Sequence, residues 1–141
     1  MDMKKILFGG IAFAVIAQVV RTVEAVLTMD YYLDPAYFGT WSKIMMPEAG
    51  APPVEFYIYS VLFALITGIF FAYVYSAVKS ALPKKNKGLH YGVLVFFVAG
   101  VPFGLTTFLL FNVPSGLLIP WAVSSLVVYL AAGWALEKIA G

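Results

Sequence analysis

The sequence predicts an all-α, polytopic membrane protein: a four-transmembrane-helix bundle, N-in and C-in, with a short interfacial helix in the first outer loop. Three observations predict it. Of 141 residues, 62% are hydrophobic and 11% charged, whereas a soluble domain is about half apolar and a quarter charged. Four apolar stretches can each cross a hydrocarbon core of about 30 Å, which needs about 20 helical residues. The connections between them alternate in charge. The chain reads as a single integral membrane domain over 1–141, too short to hold a separate soluble domain.

The spans fall at 6–28, 56–80, 89–111 and 115–139. The first follows Lys4-Lys5 and so has the start of a secretory signal. No small-x-small cleavage site follows its apolar core at the right distance, so span one is expected to be retained. Lys79, Lys84, Lys85 and Lys87 surround the second connection, and Lys138 ends span four. The first connection holds Asp30, Asp34, Glu48 and Glu55 against Lys43 alone. The positive-inside rule then places both termini and the 79–87 loop in the cytoplasm. The lysine cluster is explained by topology, without lipid or nucleic-acid recognition.

Span one divides into two faces. At about 100° per residue, Gly10, Ala14, Ala17, Gln18, Arg21, Glu24 and Thr28 share one side. Phe8, Val15, Val19, Val23 and Val26 lie opposite. The small residues suit close helix packing. Charge inside a span is costly, so the polar part must meet protein or water. Gln18 lies near mid-membrane, Arg21 about 5 Å further out and Glu24 about 9 Å out. Arg21 and Glu24 are close enough to pair. Two readings compete: Arg21 snorkels to the outer headgroups, or Gln18, Arg21, Glu24 and Thr28 line a pocket. Gln18 favours the pocket, because it is too deep and too short to snorkel.

The first outer loop has structure of its own. Asp34-Pro35 is a helix start, with an N-cap acceptor and proline at the first helical position. Tyr37, Trp41, Ile44 and Met45 recur at helical spacing, and Pro47 closes the segment. A helix over 35–46 is expected, as an aromatic anchor at the interface or a lid over an outward-facing cavity.

In span two, Ser60, Ala64, Gly68, Ala72 and Ser76 recur every fourth residue and continue to Ser80. This small-xxx-small ridge favours close helix crossing, within the bundle or between copies. Tyr57 and Tyr59 at one end, with Tyr73 and Tyr75 at the other, are belt residues. Span three contains Gly100-Val-Pro102-Phe-Gly104 and then Thr106-Thr107. Pro102 should bend the helix and free a carbonyl, for which the threonines or Arg21 are candidate donors. Gly92, Phe96, Gly100 and Gly104 thin one side of it. Span four opens at Pro114-Ser115, bends at Pro120 and carries a small, mildly polar face at Ser124, Ser125, Tyr129 and Gly133. An apparent repeat between 10–17 and 92–99 is apolar composition only.

Chemistry is sparse. Without cysteine there are no disulfides, thiolate metal sites or iron–sulfur ligation. A lone histidine, His90, at a membrane edge makes a zinc or bis-histidine haem site implausible. Met45-Met46 lack further soft ligands for copper. No catalytic constellation, phosphate loop, metal site or cofactor is expected. The few basic residues, with a net charge of +2, form no nucleic-acid surface.

The second half, with Gly92, Gly100-Val-Pro102, Pro120-Trp121 and Gly133, resembles small uncharacterised prokaryotic inner-membrane proteins of four helices. That resemblance implies an inner-membrane location and no activity. Glu24 is superficially similar to the acidic residue of small multidrug exporters, but it lies beside Arg21 near the outer end, and the long outer loop departs from that family. The leading expectation is therefore an accessory or structural membrane subunit, associating with copies of itself or a membrane-protein partner. A small-solute or ion transporter with a pocket at Gln18, Arg21, Glu24, Thr28, Thr106 and Thr107 is the alternative. An enzyme acting on a lipid or quinone ranks third. The bilayer is the one partner implied directly, and a small molecule or lipid is the candidate ligand.

Overall fold

A computed structural model describes residues 2–141. The chain is all-helical among these residues. It forms α1 (Met3–Leu27), α2 (Met29–Leu33), a 3₁₀ helix (Pro35–Thr40), α3 (Val54–Val78), α4 (Lys87–Val95), a π-helical turn (Phe96–Gly100), α5 (Val101–Leu110) and α6 (Ser115–Ala140). The segments Met3–Leu27, Val54–Val78, Lys87–Leu110 and Ser115–Ala140 are long and apolar enough to cross a membrane. The architecture is compatible with a multi-pass membrane protein, and the span boundaries lie within three residues of those expected.

The four segments run alternately up and down. One end of the bundle, the terminal end, carries both termini and the 79–86 connection. The other, the loop end, carries residues 28–53 and 111–114. Helix α1 packs on α3 and α6, and α6 packs on α1 and α4. The core fills the half nearest the terminal end, where Phe13, Phe71, Tyr75, Tyr91, Val128 and Leu136 are buried together. Phe71 lies between Tyr91 and Tyr129, with ring centroids 4.6 and 5.9 Å away. The Tyr91 hydroxyl donates to the Phe71 carbonyl at 2.8 Å, which ties α4 to α3 through a side chain.

Glycine sets the two closest helix crossings. A Cβ on Gly88 would strike the Gly133 carbonyl, and one on Gly133 would strike the Gly88 carbonyl. On α3, a Cβ on Gly68 would meet the Gly10 carbonyl oxygen at 2.5 Å. Small residues allow such backbone contact, and in lipid it is dispersion rather than water expulsion that rewards it. The ridge of span two is thus occupied within the chain. Ser60 bonds to Gln18, Ala64 packs at the core's edge, Gly68 meets α1, and Ala72 is fully buried against Gly9. Ser76 lies lower on the ridge and donates to the Tyr73 carbonyl at 2.7 Å.

The terminal end is laced by polar contacts. Glu137 of α6 accepts from the Gly88 N–H at 3.0 Å, so a carboxylate satisfies one free donor at the start of α4. Lys79 donates to the Ala140 carbonyl at 3.1 Å, near the negative end of α6.

Three local expectations take a different form. Pro102 does not bend a continuous α-helix. The five residues before it form a π turn, and α5 restarts at Val101 with proline in its first turn. The backbone stays right-handed helical through the turn, and the Val101 N–H bonds back to the Phe96 carbonyl, so the wider π register accommodates the donor that proline lacks. Pro120 lies inside α6, which stays α-helical from Ser115 to Ala140. In the first loop, Asp34 caps as expected and accepts from the Ala36 N–H at 2.9 Å. The helix it starts, however, is 3₁₀ and ends at Thr40 rather than 46. Gly39 and β-branched Thr40 weaken it, and Ser42 then captures the Met45 and Met46 N–H groups in a separate turn. The short helix α2 was not foreseen.

Candidate functional site

The stripe on α1 changes character along its length. Gly10, Ala14 and Ala17 are buried, Gln18 is half-buried, Arg21 is exposed, Glu24 is half-buried and Thr28 is buried again. All lie on the side that faces α3 and α6. The inner face of α1 is therefore closed near the terminal end, open at Arg21 and covered at the loop end. A polar stretch lies between.

Gln18 and Arg21 are held from two different helices, whereas Glu24 and Thr28 bond to each other. Gln18 Nε2 donates to Ser60 Oγ on α3 at 3.0 Å. The two terminal nitrogens of Arg21 donate to Ser124 Oγ and Ser125 Oγ on α6, each at 2.9 Å. The Ser124 hydroxyl in turn donates a hydrogen bond to the Trp121 carbonyl at 3.1 Å. The Thr28 hydroxyl lies 2.8 Å from both the Glu24 backbone carbonyl and Glu24 Oε1.

Two consequences follow. First, Arg21 does not reach towards the loop end. A helical side chain leans towards its own N-terminus, and its partners start nine residues into α6, about 14 Å from that helix's loop end. Second, Arg21 and Glu24 do not close on each other. The guanidinium meets two neutral hydroxyls, and the carboxylate meets Thr28. Two of the five guanidinium donors are used, and the charge faces an open space.

The cover is aromatic. Tyr32 of α2 accepts from Trp121 Nε1 at 2.8 Å. Trp41 folds back so that its ring lies 5.1 Å from Tyr32 and 6.5 Å from Trp121. Its buried indole N–H has no partner. Burial pushes the Tyr32 phenol above the ordinary tyrosine value, which the Trp121 hydrogen bond partly offsets. The loop is fastened to the α5–α6 turn, where Thr40 donates to the Asn112 carbonyl at 2.8 Å and the Tyr31 ring lies over Gly116.

The remaining expected residues are not drawn together. Thr107 is the one buried residue of α5, whereas Thr106 is exposed. Arg21 makes its hydrogen bonds to Ser124 and Ser125 on α6 and none to the span that carries Pro102. A Cβ on Gly104 would meet nothing within 4 Å, so this glycine makes no close crossing; one on Gly100 would meet only its own helix's Phe96. Sequence reasoning missed Tyr32, Trp121 and Glu137 as structural partners. The small polar face at Ser124 and Ser125 was visible, but nothing in one sequence shows that it faces Arg21. No protein-family model matches the chain, and no curated protein or solved structure is significantly similar to it.

Proposed function

We propose that this is a small integral membrane protein that binds an anionic group in the cleft at Arg21, with the loop end facing outward. One observation carries the reading: a guanidinium within a span is held by two serine hydroxyls, without a carboxylate, and remains accessible. A charge within a span is costly unless it meets polar groups, water or a counter-ion. Arginine's planar fork suits carboxylate and phosphate. Gln18 and Ser60 add polar groups that accept and donate beside it. This supports the binding alternative over a purely structural subunit.

The test is the thermal midpoint of the purified protein in an uncharged detergent, at constant ionic strength. Inorganic phosphate or dodecyl phosphate is added to the wild type and to Arg21→Gln. At least one probe should raise the wild-type midpoint by several degrees and leave the variant unmoved. If neither shifts the wild type, or both proteins shift alike, the reading is wrong.

A second reading, an oligomeric or accessory subunit, has one observation in its favour. The segment Lys87–Leu110 is the least covered, with 11% of its apolar window buried. Association would use that segment and not the Gly68 ridge, which is already packed against α1. Native mass spectrometry of the gently solubilised protein would give the copy number.

A further inference from the structure

We infer that the anion carried at Arg21 is the head of an amphiphile, with a phosphate or carboxylate group, that enters sideways from the membrane between α3 and the Lys87–Leu110 segment; this rests on the anion-binding reading above. Three observations converge on it.

The first is the direction of access. Thr28 is buried at the loop end of the α1 stripe, while Arg21 beneath it is exposed. The loop above is not a loose flap. It is fastened at Thr40 to Asn112, at Tyr32 to Trp121, and by Trp41, which lies tilted against Tyr32 and edge-on to Trp121. A solute arriving along the bundle axis meets this cover, whereas one arriving within the membrane does not.

The second is the gap itself. Helix α3 packs on α1, and α4 packs on α6, but α3 has no comparable backbone packing against α4 or α5. Near the terminal end the seam is bridged by Tyr91 donating to the Phe71 carbonyl. Thr107 is the one buried residue of α5, so the seam has no such closure towards the loop end.

The third is a place for a tail. The same seam holds an apolar groove of about 390 Å³ lined by Val74, Val78, Tyr91, Leu94, Val95 and Val98. It lies further from the loop end than Arg21 does, on the side to which a hydrocarbon chain would run from a head held in the cleft. A cationic site nearer the loop end and an aliphatic groove nearer the terminal end match a molecule with one charged end and one apolar end. A free ion would use the first and leave the second unexplained. The guanidinium has three donors left for the head group, and the paired Gln18 and Ser60 offer further hydrogen bonds.

The experiment uses vesicles of phosphatidylcholine containing one part in ten phosphatidylglycerol. The reconstituted protein is released into a neutral detergent, and bound lipids are read by native mass spectrometry. The wild type should retain phosphatidylglycerol several-fold above its share of the vesicle, and Arg21→Gln should retain it in proportion. Because Arg21→Gln risks misfolding, a second measurement keeps Arg21 in place. A Ser60→Cys variant is reacted with a charged thiol reagent in the presence of phosphatidylglycerol, phosphatidylcholine or inorganic phosphate. Protection of at least about threefold by phosphatidylglycerol alone supports access from the membrane. Protection by inorganic phosphate alone, or equally by both anions, would overturn the amphiphile while leaving the anion site standing. Retention in the vesicle's own ratio together with no protection by any probe would overturn both.

Discussion

The two halves of the bundle are built on one stripe of α1 and do opposite things. Towards the terminal end, Gly10, Ala14 and Ala17 let α3 and α6 each pack closely on α1, and the space between is filled by Phe13, Phe71 and Tyr129. Towards the loop end, the same face carries Gln18 and Arg21, and the helices are linked by hydrogen bonds through side chains. Small residues make a dry crossing because backbones can touch. Long polar residues instead link the helices through their side chains. The transition takes place within one helical turn, between Ala17 and Arg21. Close packing and polar linkage here are successive uses of one helix face.

That contrast can be broken at either end. The largest effect is expected at the tightest crossing. Gly133→Leu forces α4 and α6 apart where their backbones touch, and should cost about 3 kcal/mol or more, above the usual overpacking range. Loss of folded protein in a thermal scan checks it, and an unchanged midpoint would show that the crossing is not as close as described. In the polar half, Ser124→Ala combined with Ser125→Ala removes both partners of Arg21. Hydrogen bonds to charged groups contribute about 1.5–3 kcal/mol when buried, but water admitted to the cleft replaces part of this. A loss of about 1–2 kcal/mol is expected in denaturant unfolding, with a larger fall in anion affinity than in stability. Glu137→Ala leaves the Gly88 N–H without its acceptor and should cost about 1 kcal/mol, as loss of a helix cap does. It should not alter anion binding.

The smallest effect is a pH dependence at the cover. Burial holds the Tyr32 phenol above the ordinary tyrosine value. Below that value the phenol is neutral in both folded and unfolded chains, and stability is unaffected. Above it the unfolded chain ionises first, so stability should fall as pH rises. Tyr32→Phe should make this slope shallower in a midpoint measured across the alkaline range.

The fold was legible in the sequence because hydropathy, length and helical period speak directly to membrane spans. The stripe on α1 and the ridge on α3 were legible for the same reason. What faces them was not. Ser60 reads as one more small residue of a ridge, and only the crossing at Gly10 and Gly68 sets it opposite Gln18. Ser124 and Ser125 lie about a hundred residues from Arg21, and their meeting depends on the α1–α6 packing. The π turn before Pro102 was also hidden. Proline announces a disruption, but whether it appears as a bend or as a widened turn depends on the surrounding helices. In the first loop, helical spacing of Tyr37, Trp41, Ile44 and Met45 suggested a longer helix than Gly39, Thr40 and Ser42 permit.

The central claim is that the inner face of α1 opens at Arg21. The absence of cysteine makes it directly measurable, because a single introduced thiol has no background. Arg21→Cys, Ala14→Cys and Val19→Cys report the cleft, the dry crossing and the lipid face. Each is reacted with a charged, water-soluble thiol reagent in bilayer vesicles. The account predicts reaction at position 21 at least about tenfold faster than at 14 or 19. Equal, slow rates at all three positions would contradict it.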